Sequence, residues 1–300
     1  MQIIVLGAGA IGSLYGAKLA QNNDVTLIAR REHATAINAR GLRIEGIESR
    51  IVPVTAATAI DRLGADALIL LTTKVPASAA ALAGVSSIVR DDTTILCLQN
   101  GLGSEQIARA ALGNRGTVLR GITQFGAIFQ SPGVIRYMAE GYTIIEQHET
   151  SKRLASVLSA AGLDCRVSPD IERDVWHKLV INCVVNPITA ILGCEVGGIA
   201  NPELEPLKRL VIDECVAVAA TQRVALDADF VREIDDFFRP SHNLASMLQD
   251  LRRGHATEID YLNNAVAALG ARHNVPCPVN SALGAIIKAM EARQSHPKSD

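Results

Sequence analysis

The sequence predicts an α/β domain built on a doubly wound parallel sheet, followed by an all-helical domain. Three observations lead there. A glycine-rich turn stands directly behind a β-rich run at the N-terminus. Apolar runs alternate with helical stretches through the first half. After about residue 169 helical periodicity continues almost without strand signals.

Taken in order, "MQIIVLGAGAIG" reads as a first strand, a glycine turn and the start of a helix, and "DVTLIAR" as a second strand. "LRIEG" and "SRIVPV" read as a hairpin. "ADALILLTTK" is almost continuously apolar, as expected of a strand covered on both faces, and "TTILCLQNG" repeats that form. "TVLRGITQFGAIF", "GVIRYMA" and "YTIIEQ" continue the strands. A short junction near "VSPD" divides residues 1–168 from residues 169–300, where "DIERDVWHKLVINCVVNPITAIL", "ELEPLKRLVIDECVAVAATQRV", "SHNLASMLQDLRRG", "HATEIDYLNNAVAALGARHN" and "SALGAIIKAMEARQ" carry helical spacing. The polar tail "QSHPKSD" is expected to fray.

Composition narrows the function classes. The chain is 48% hydrophobic and 20% charged, with 29 basic against 31 acidic residues, so neither a nucleic acid nor a membrane surface is an expected partner. No apolar run is read as a membrane span, and the N-terminus lacks the basic start of a signal peptide. The 6 cysteines form no CxxC pair, and several lie in apolar runs, which suits reduced thiols in a cytoplasmic protein. The 7 histidines show no metal-ligand spacing. No metal, no Ser-His-Asp unit and no Cys-His unit is expected.

Gly7, Gly9 and Gly12 form G-x-G-x-x-G between a strand and a helix. The first glycine allows the tight turn, the second lets a pyrophosphate approach the backbone, and the third lets helix and strand pack closely. The helix start offers unpaired N–H groups to the anion. The run Gly7-Ala8-Gly9-Ala10-Ile11-Gly12 is therefore the expected dinucleotide-phosphate site, with a structural glycine turn as the plain alternative. The second strand ends in "LIARREH", with Arg30 and Arg31 where an NAD site places a carboxylate, and no acid before Glu32. A guanidinium suits a 2′-phosphate, so the expected cofactor is NADP(H); a solvated arginine pair is the plain alternative.

Lys74 and Asn100 end two apolar strands, on the side where open α/β sheets bind ligands. A snorkelling lysine and a turn-forming Asn-Gly are the alternatives. In "VWHKLVINCVVNPITA", Lys178, Asn182 and Asn186 stand four residues apart, one polar column in an apolar helix. Burial lowers an ammonium pKa toward the range of a working acid, and the asparagines could hold substrate oxygens. An interface stripe, or a lysine paired with a structural carboxylate, would look the same. Pro187 cannot donate to the carbonyl of Cys183, so a kink is expected. Ser246 and Asp250 share a helix face, Asn243 is an N-cap candidate, and Glu258 is expected in the first turns of the next helix, after a break at Gly254.

The glycine turn, Lys74, "NGLG", "WHKLVINCVVNPITA", "ASMLQD" and "TEIDYLN" follow one another as in ketopantoate reductases, the 2-dehydropantoate 2-reductase family, which the chain resembles over nearly its whole length. The resemblance implies a Rossmann domain followed by a helical domain of the 6-phosphogluconate dehydrogenase type. It implies NADPH-dependent reduction of ketopantoate to pantoate, on the route to pantothenate and coenzyme A. By the same resemblance Lys178 is the general acid and Glu258 binds the substrate hydroxyl. Asn182, Asn186 and Ser246 bind substrate oxygens, and Asn100 bridges cofactor and substrate. Lys74 and Arg30 serve the cofactor, Arg30 through the 2′-phosphate.

The chain departs from that pattern at Gln124–Phe125, where many relatives carry a Thr/His run, at "RYMAEG" and at "YLNN". The substrate is therefore read more loosely than the reaction. Reductases of other branched 2-oxo acids are one alternative, and a non-catalytic NADPH-binding sensor is another. The apolar surface of "LVIDECVAVAATQRVAL" serves a core or a homodimer face equally well.

Overall fold

A computed structural model describes residues 1–113 and 115–295. The end of the tail "QSHPKSD" lies outside them. The first unit comprises residues 1–99 and 103–171, and the second residues 100–102 and 172–300. The expected boundary at 168/169 is three residues early, and Asn100–Leu102 group with the helical unit although they follow a strand of the sheet.

The first unit contains β1 (Gln2–Leu6), α1 (Ala10–Leu19), β2 (Asp24–Ile28), α2 (Arg31–Arg40), β3 (Leu42–Gly46), β4 (Arg50–Val52), β5 (Thr55–Ala57), β6 (Leu68–Leu71) and α3 (Val75–Ala83). It continues with β7 (Thr94–Cys97), α4 (Ser104–Leu112), β8 (Thr117–Thr123), β9 (Gly126–Ser131), β10 (Val134–Ala139), β11 (Thr143–Glu146), α5 (Ser151–Ala160) and β12 (Cys165–Ser168). The main sheet runs β12-β11-β8-β7-β6-β1-β2-β5. Successive residues of β1 point to opposite faces, and both faces are buried: Ile3 and Val5 join one core, Ile4 and Leu6 the other. That is why the parallel strands read as unbroken apolar runs. The strand order reverses between β1 and β6, so the carboxyl ends of these two strands flank the crevice where such sheets bind ligands.

Several expectations need correction. "TVLRGITQFGAIF" is two strands in two sheets, parted at Gln124–Phe125. The predicted β3–β4 hairpin belongs to a separate sheet, β4-β3-β10-β9, packed on α1. β11 pairs antiparallel with β8, so the main sheet is mixed at that edge; the chain between them makes a β-hairpin excursion instead of the helical crossover a parallel pair needs. β5 and β12 are short edge strands with too little pattern to be read in advance.

The second unit is built from α6 (Ile171–Leu192), α7 (Glu205–Thr221), α8 (Phe230–Phe238), α9 (Ser246–Arg252), α10 (Asn263–Arg272) and α11 (Pro278–Ser295), with 3₁₀ turns at Val196–Ala200, Pro202–Leu204 and Ile259–Tyr261. α8 was not foreseen. α6 supplies Trp176, Leu179, Val180, Cys183, Val184, Val185 and Ile188 to one core. By length and composition alone this helix could cross a membrane, contrary to the reading of the sequence; 67% of its most apolar window is buried inside the protein, which accounts for its hydropathy.

Candidate active site

The glycine turn divides its work among its residues. Gly7 has φ +108°, and a Cβ there would lie 2.4 Å from the Thr73 nitrogen behind β6. A Cβ on Gly12 would lie 2.4 Å from the Gly7 carbonyl oxygen and 2.5 Å from Thr72 Oγ1. Gly9 meets nothing within 4 Å, so its backbone faces open space. The N–H groups of Gly7 and Ala8 both donate to Ile28 O, at 3.2 and 2.9 Å, and Gly9 N–H donates to Gly7 O at 2.7 Å. The groups left to meet an anion are those of Ala10, Ile11 and Gly12, which precede the first helical bond, from Ser13 N–H to Gly9 O at 2.9 Å; no side chain caps this end. An open approach and an uncapped helix start fit a dinucleotide pyrophosphate.

Arg30 and Arg31 are exposed where β2 passes into α2, and Arg30 occupies the N-cap position without a side-chain bond. Lys74 is exposed at the N-cap position of α3, on the β6 side of the crevice. Behind it lies a polar set not foreseen: Gln99 Nε2 donates to Ser78 Oγ at 2.6 Å, and the Ser78 and Thr73 hydroxyls lie 3.1 Å apart. Phe125, one of the departures, is buried in the first unit beside Tyr15 and Tyr137, with ring centroids 5.9 and 6.3 Å away. It is a core residue there.

In the helical unit, Lys178, Asn182 and Asn186 all fall within α6, which continues without interruption through Pro187. Lys178 and Asn182 are half-buried and Asn186 is 8% exposed. Helical spacing stacks the three on one side. The carbonyl of Cys183 that Pro187 cannot serve receives a hydrogen bond from Asn263 Nδ2 at 2.9 Å. Asn263 Nδ2 also donates to Asn280 Oδ1 at 2.9 Å, and Asn280 Nδ2 donates to Glu214 Oε2 at 2.7 Å. This buried chain joins α6, α10, α11 and α7. The signal for it was in the sequence: a proline inside an apolar helix demands an outside donor, and "YLNN" and "PVN" supply amides.

Asn100 Nδ2 donates to Glu258 Oε2 at 3.0 Å, which brings together two expected site residues 158 positions apart. The backbone reinforces the pair, since Leu102 N–H donates to Tyr261 O at 3.1 Å. Glu258 is half-buried in the loop before the 3₁₀ turn Ile259–Tyr261, not in the first turns of a helix as expected; the next helix starts only at Asn263. Ser246 and Asp250 do share α9, with Ser246 exposed at its first position. Asn243 is not the N-cap: Ala245 holds that position, and the Asn243 carbonyl accepts from Val196 N–H at 2.8 Å.

All 6 cysteines are unpaired. Burial pushes the thiols of Cys97 and Cys165 up to about 12 and that of Cys277 up to about 11, and raises that of Cys183 as well. None of these four has the lowered pKa of a nucleophile.

Residues 3–150 match the family model described as ketopantoate reductase PanE/ApbA, and residues 170–291 match that of the ketopantoate reductase PanE/ApbA C terminal. A protein of Pyrococcus horikoshii named 2-dehydropantoate 2-reductase is 38% identical over 300 residues, covering 97% of this chain and 98% of its own. The crystal structure of a PanE/ApbA family ketopantoate reductase from Ralstonia eutropha JMP134 superposes with a TM-score of 0.91 at 31% identity, over 99% of this chain and 100% of that one. The ternary structure of D-mandelate dehydrogenase with NADH and anilino(oxo)acetate gives 0.92 at 27% identity, over 98% and 99% of the two chains.

Proposed function

Because the chain belongs to the ketopantoate reductase family of oxidoreductases, we propose that it reduces 2-dehydropantoate to pantoate with NADPH, Lys178 acting as the proton donor. The observation that carries this reading is the 3.0 Å hydrogen bond between Asn100 and Glu258, two residues 158 positions apart that the family resemblance puts in one site.

When bound, NADPH supplies a hydride to the ketone carbon. The N–H groups of Ala10, Ile11 and Gly12 hold the pyrophosphate, Arg30 pairs with the 2′-phosphate, and Lys74 serves the cofactor from the β6 side of the crevice. Negative charge then grows on the substrate oxygen. The Lys178 ammonium stabilises that charge as it develops and releases a proton from Nζ to the oxygen, leaving a neutral amine that solvent reprotonates. Asn182, Asn186 and Ser246 hold substrate oxygens. Glu258, held by Asn100, accepts a hydrogen bond from the substrate hydroxyl. The six unpaired thiols fit a reducing, cytoplasmic location.

A second reading, a reductase of another 2-oxo acid, draws support from the similarity to D-mandelate dehydrogenase, whose solved complex contains NADH. The deciding experiment follows NADPH and NADH oxidation with ketopantoate, 2-oxoisovalerate and the 2-oxo acid corresponding to mandelate. Preference for ketopantoate with NADPH is expected. Faster turnover of another acid would replace the substrate, preference for NADH would replace the cofactor, and no turnover of any acid would favour a non-catalytic NADPH sensor.

A further inference from the structure

One buried polar group near the phosphate turn has no part in the reaction described so far. His33 lies on α2, two residues past Arg31, and is 4% exposed. Gly133 N–H donates to its Nδ1 at 2.8 Å, so the neutral ring carries its proton on Nε2. That proton is donated to Ser13 Oγ, 3.1 Å away, and the Ser13 hydroxyl donates to Ala8 O at 3.3 Å. Ser13 is fully buried on α1, immediately after Gly12. The Phe129 ring closes the other side of the imidazole, 4.9 Å between centroids. Burial lowers the imidazole pKa and keeps the ring in the neutral form this relay requires.

The relay runs from the carbonyl of the phosphate turn to the helix that follows the arginine pair. A second link joins the same two segments: Gly7 and Ala8 N–H both donate to Ile28 O, two residues before Arg30. We propose that His33 is a positioning residue for the dinucleotide, which with Ser13 ties the phosphate turn to the arginine-bearing segment so that the 5′-phosphate and 2′-phosphate sites of the adenosine half are held at a fixed separation. The proposal rests on the reading of this crevice as an NADP(H) site. The imidazole spans from α2 to Ser13 through Nε2 while Gly133, in the turn between β9 and β10, fixes the ring through Nδ1, so it sets orientation as well as fold. A ligand that engages both ends gains from the fixed spacing, and one that engages a single end does not.

The test compares adenosine 2′,5′-bisphosphate, which reaches both sites, with 5′-AMP, which reaches one, by titration calorimetry. His33→Phe keeps the ring and removes both hydrogen bonds. Ser13→Ala removes one hydroxyl from a helix that favours alanine, and it serves if the first variant does not fold. Each variant is expected to bind the bisphosphate about tenfold more weakly and 5′-AMP within about twofold of the parent. Equal weakening of both ligands would show a merely structural role and overturn the tether. Parental affinity for both ligands would also overturn it. Failure of the unaltered protein to bind the bisphosphate more tightly than 5′-AMP would refute the arginine-pair reading, and the tether with it.

Discussion

The proline in α6 allows a quantitative test of how this helix is held. Asn263→Ala removes the amide that donates to Cys183 O and to Asn280 Oδ1, both at 2.9 Å. A buried hydrogen bond nets about 1 kcal/mol, and the Cys183 carbonyl left dry adds about 1–3 kcal/mol, while Asn280 Oδ1 keeps the Cys215 thiol at 3.8 Å. Part of this is offset, because Asn263 Oδ1 is itself buried without a partner among the described residues, and its removal relieves that penalty. A net loss of about 2–3 kcal/mol is expected. Pro187→Ala restores a backbone N–H four residues after Cys183, so in that background Asn263→Ala should cost about 1–2 kcal/mol less. The assay is urea unfolding followed by fluorescence of Trp176, the only tryptophan in the chain, which is 2% exposed on α6. Effects that add within about 0.5 kcal/mol would refute the substitution of amide for proline N–H.

Other outcomes follow from the site. Lys178→Ala should lower kcat by about 10²-fold or more while NADPH binding is retained, and unchanged turnover would end its role as acid. Glu258→Ala should raise the KM for the 2-oxo acid more than it lowers kcat; an unchanged KM would remove it from the substrate site. Replacing Arg30 and Arg31 together by alanine should reduce the preference for NADPH over NADH by about tenfold, read as the ratio of kcat/KM values, and an unaltered ratio would leave the arginines to solvent. Gly9→Ala meets open space and should melt like the parent while binding NADPH more weakly; Gly12→Ala must displace Gly7 O from 2.4 Å and should lose about 2 kcal/mol in thermal unfolding without ligand. Equal melting of the two variants would contradict that geometry.

The parts of this fold legible in advance are those with a short repeat. The glycine turn lies within six residues, the buried strands are continuous apolar runs, and Lys178, Asn182 and Asn186 reveal themselves by helical spacing alone. What escaped depends on partners distant in sequence. Asn100 and Glu258 are 158 positions apart, and no spacing links them; only resemblance to a family set them in one site. The small sheet joins β3 to β10 across some ninety residues, and no local pattern marks which sheet a β-run will enter. His33 carries no spacing signal of its own, since its meaning lies in Ser13 and Gly133, on other elements. Glu258 reads as helical from sequence because a glycine break is legible and a single 3₁₀ turn is not.

The allegiance of Asn100–Leu102 bears on how the chain is made. The segment emerges from the ribosome directly behind β7, yet Glu258 follows Asn100 by 158 residues. At about 5–20 residues per second that is roughly 8–30 s of synthesis before the carboxylate that accepts from Asn100 exists. A Cβ on Gly101 would lie 2.2 Å from Tyr261 O, and Gly101 holds a left-handed turn at φ +81°, so the Tyr261 carbonyl can close only onto a glycine. Strands β1 to β7 can therefore begin to pair as they are translated, while the bond from Asn100 forms only after a further 158 residues. A nascent chain stalled before residue 258 should be cleaved by protease at Asn100–Leu102, where the finished protein resists.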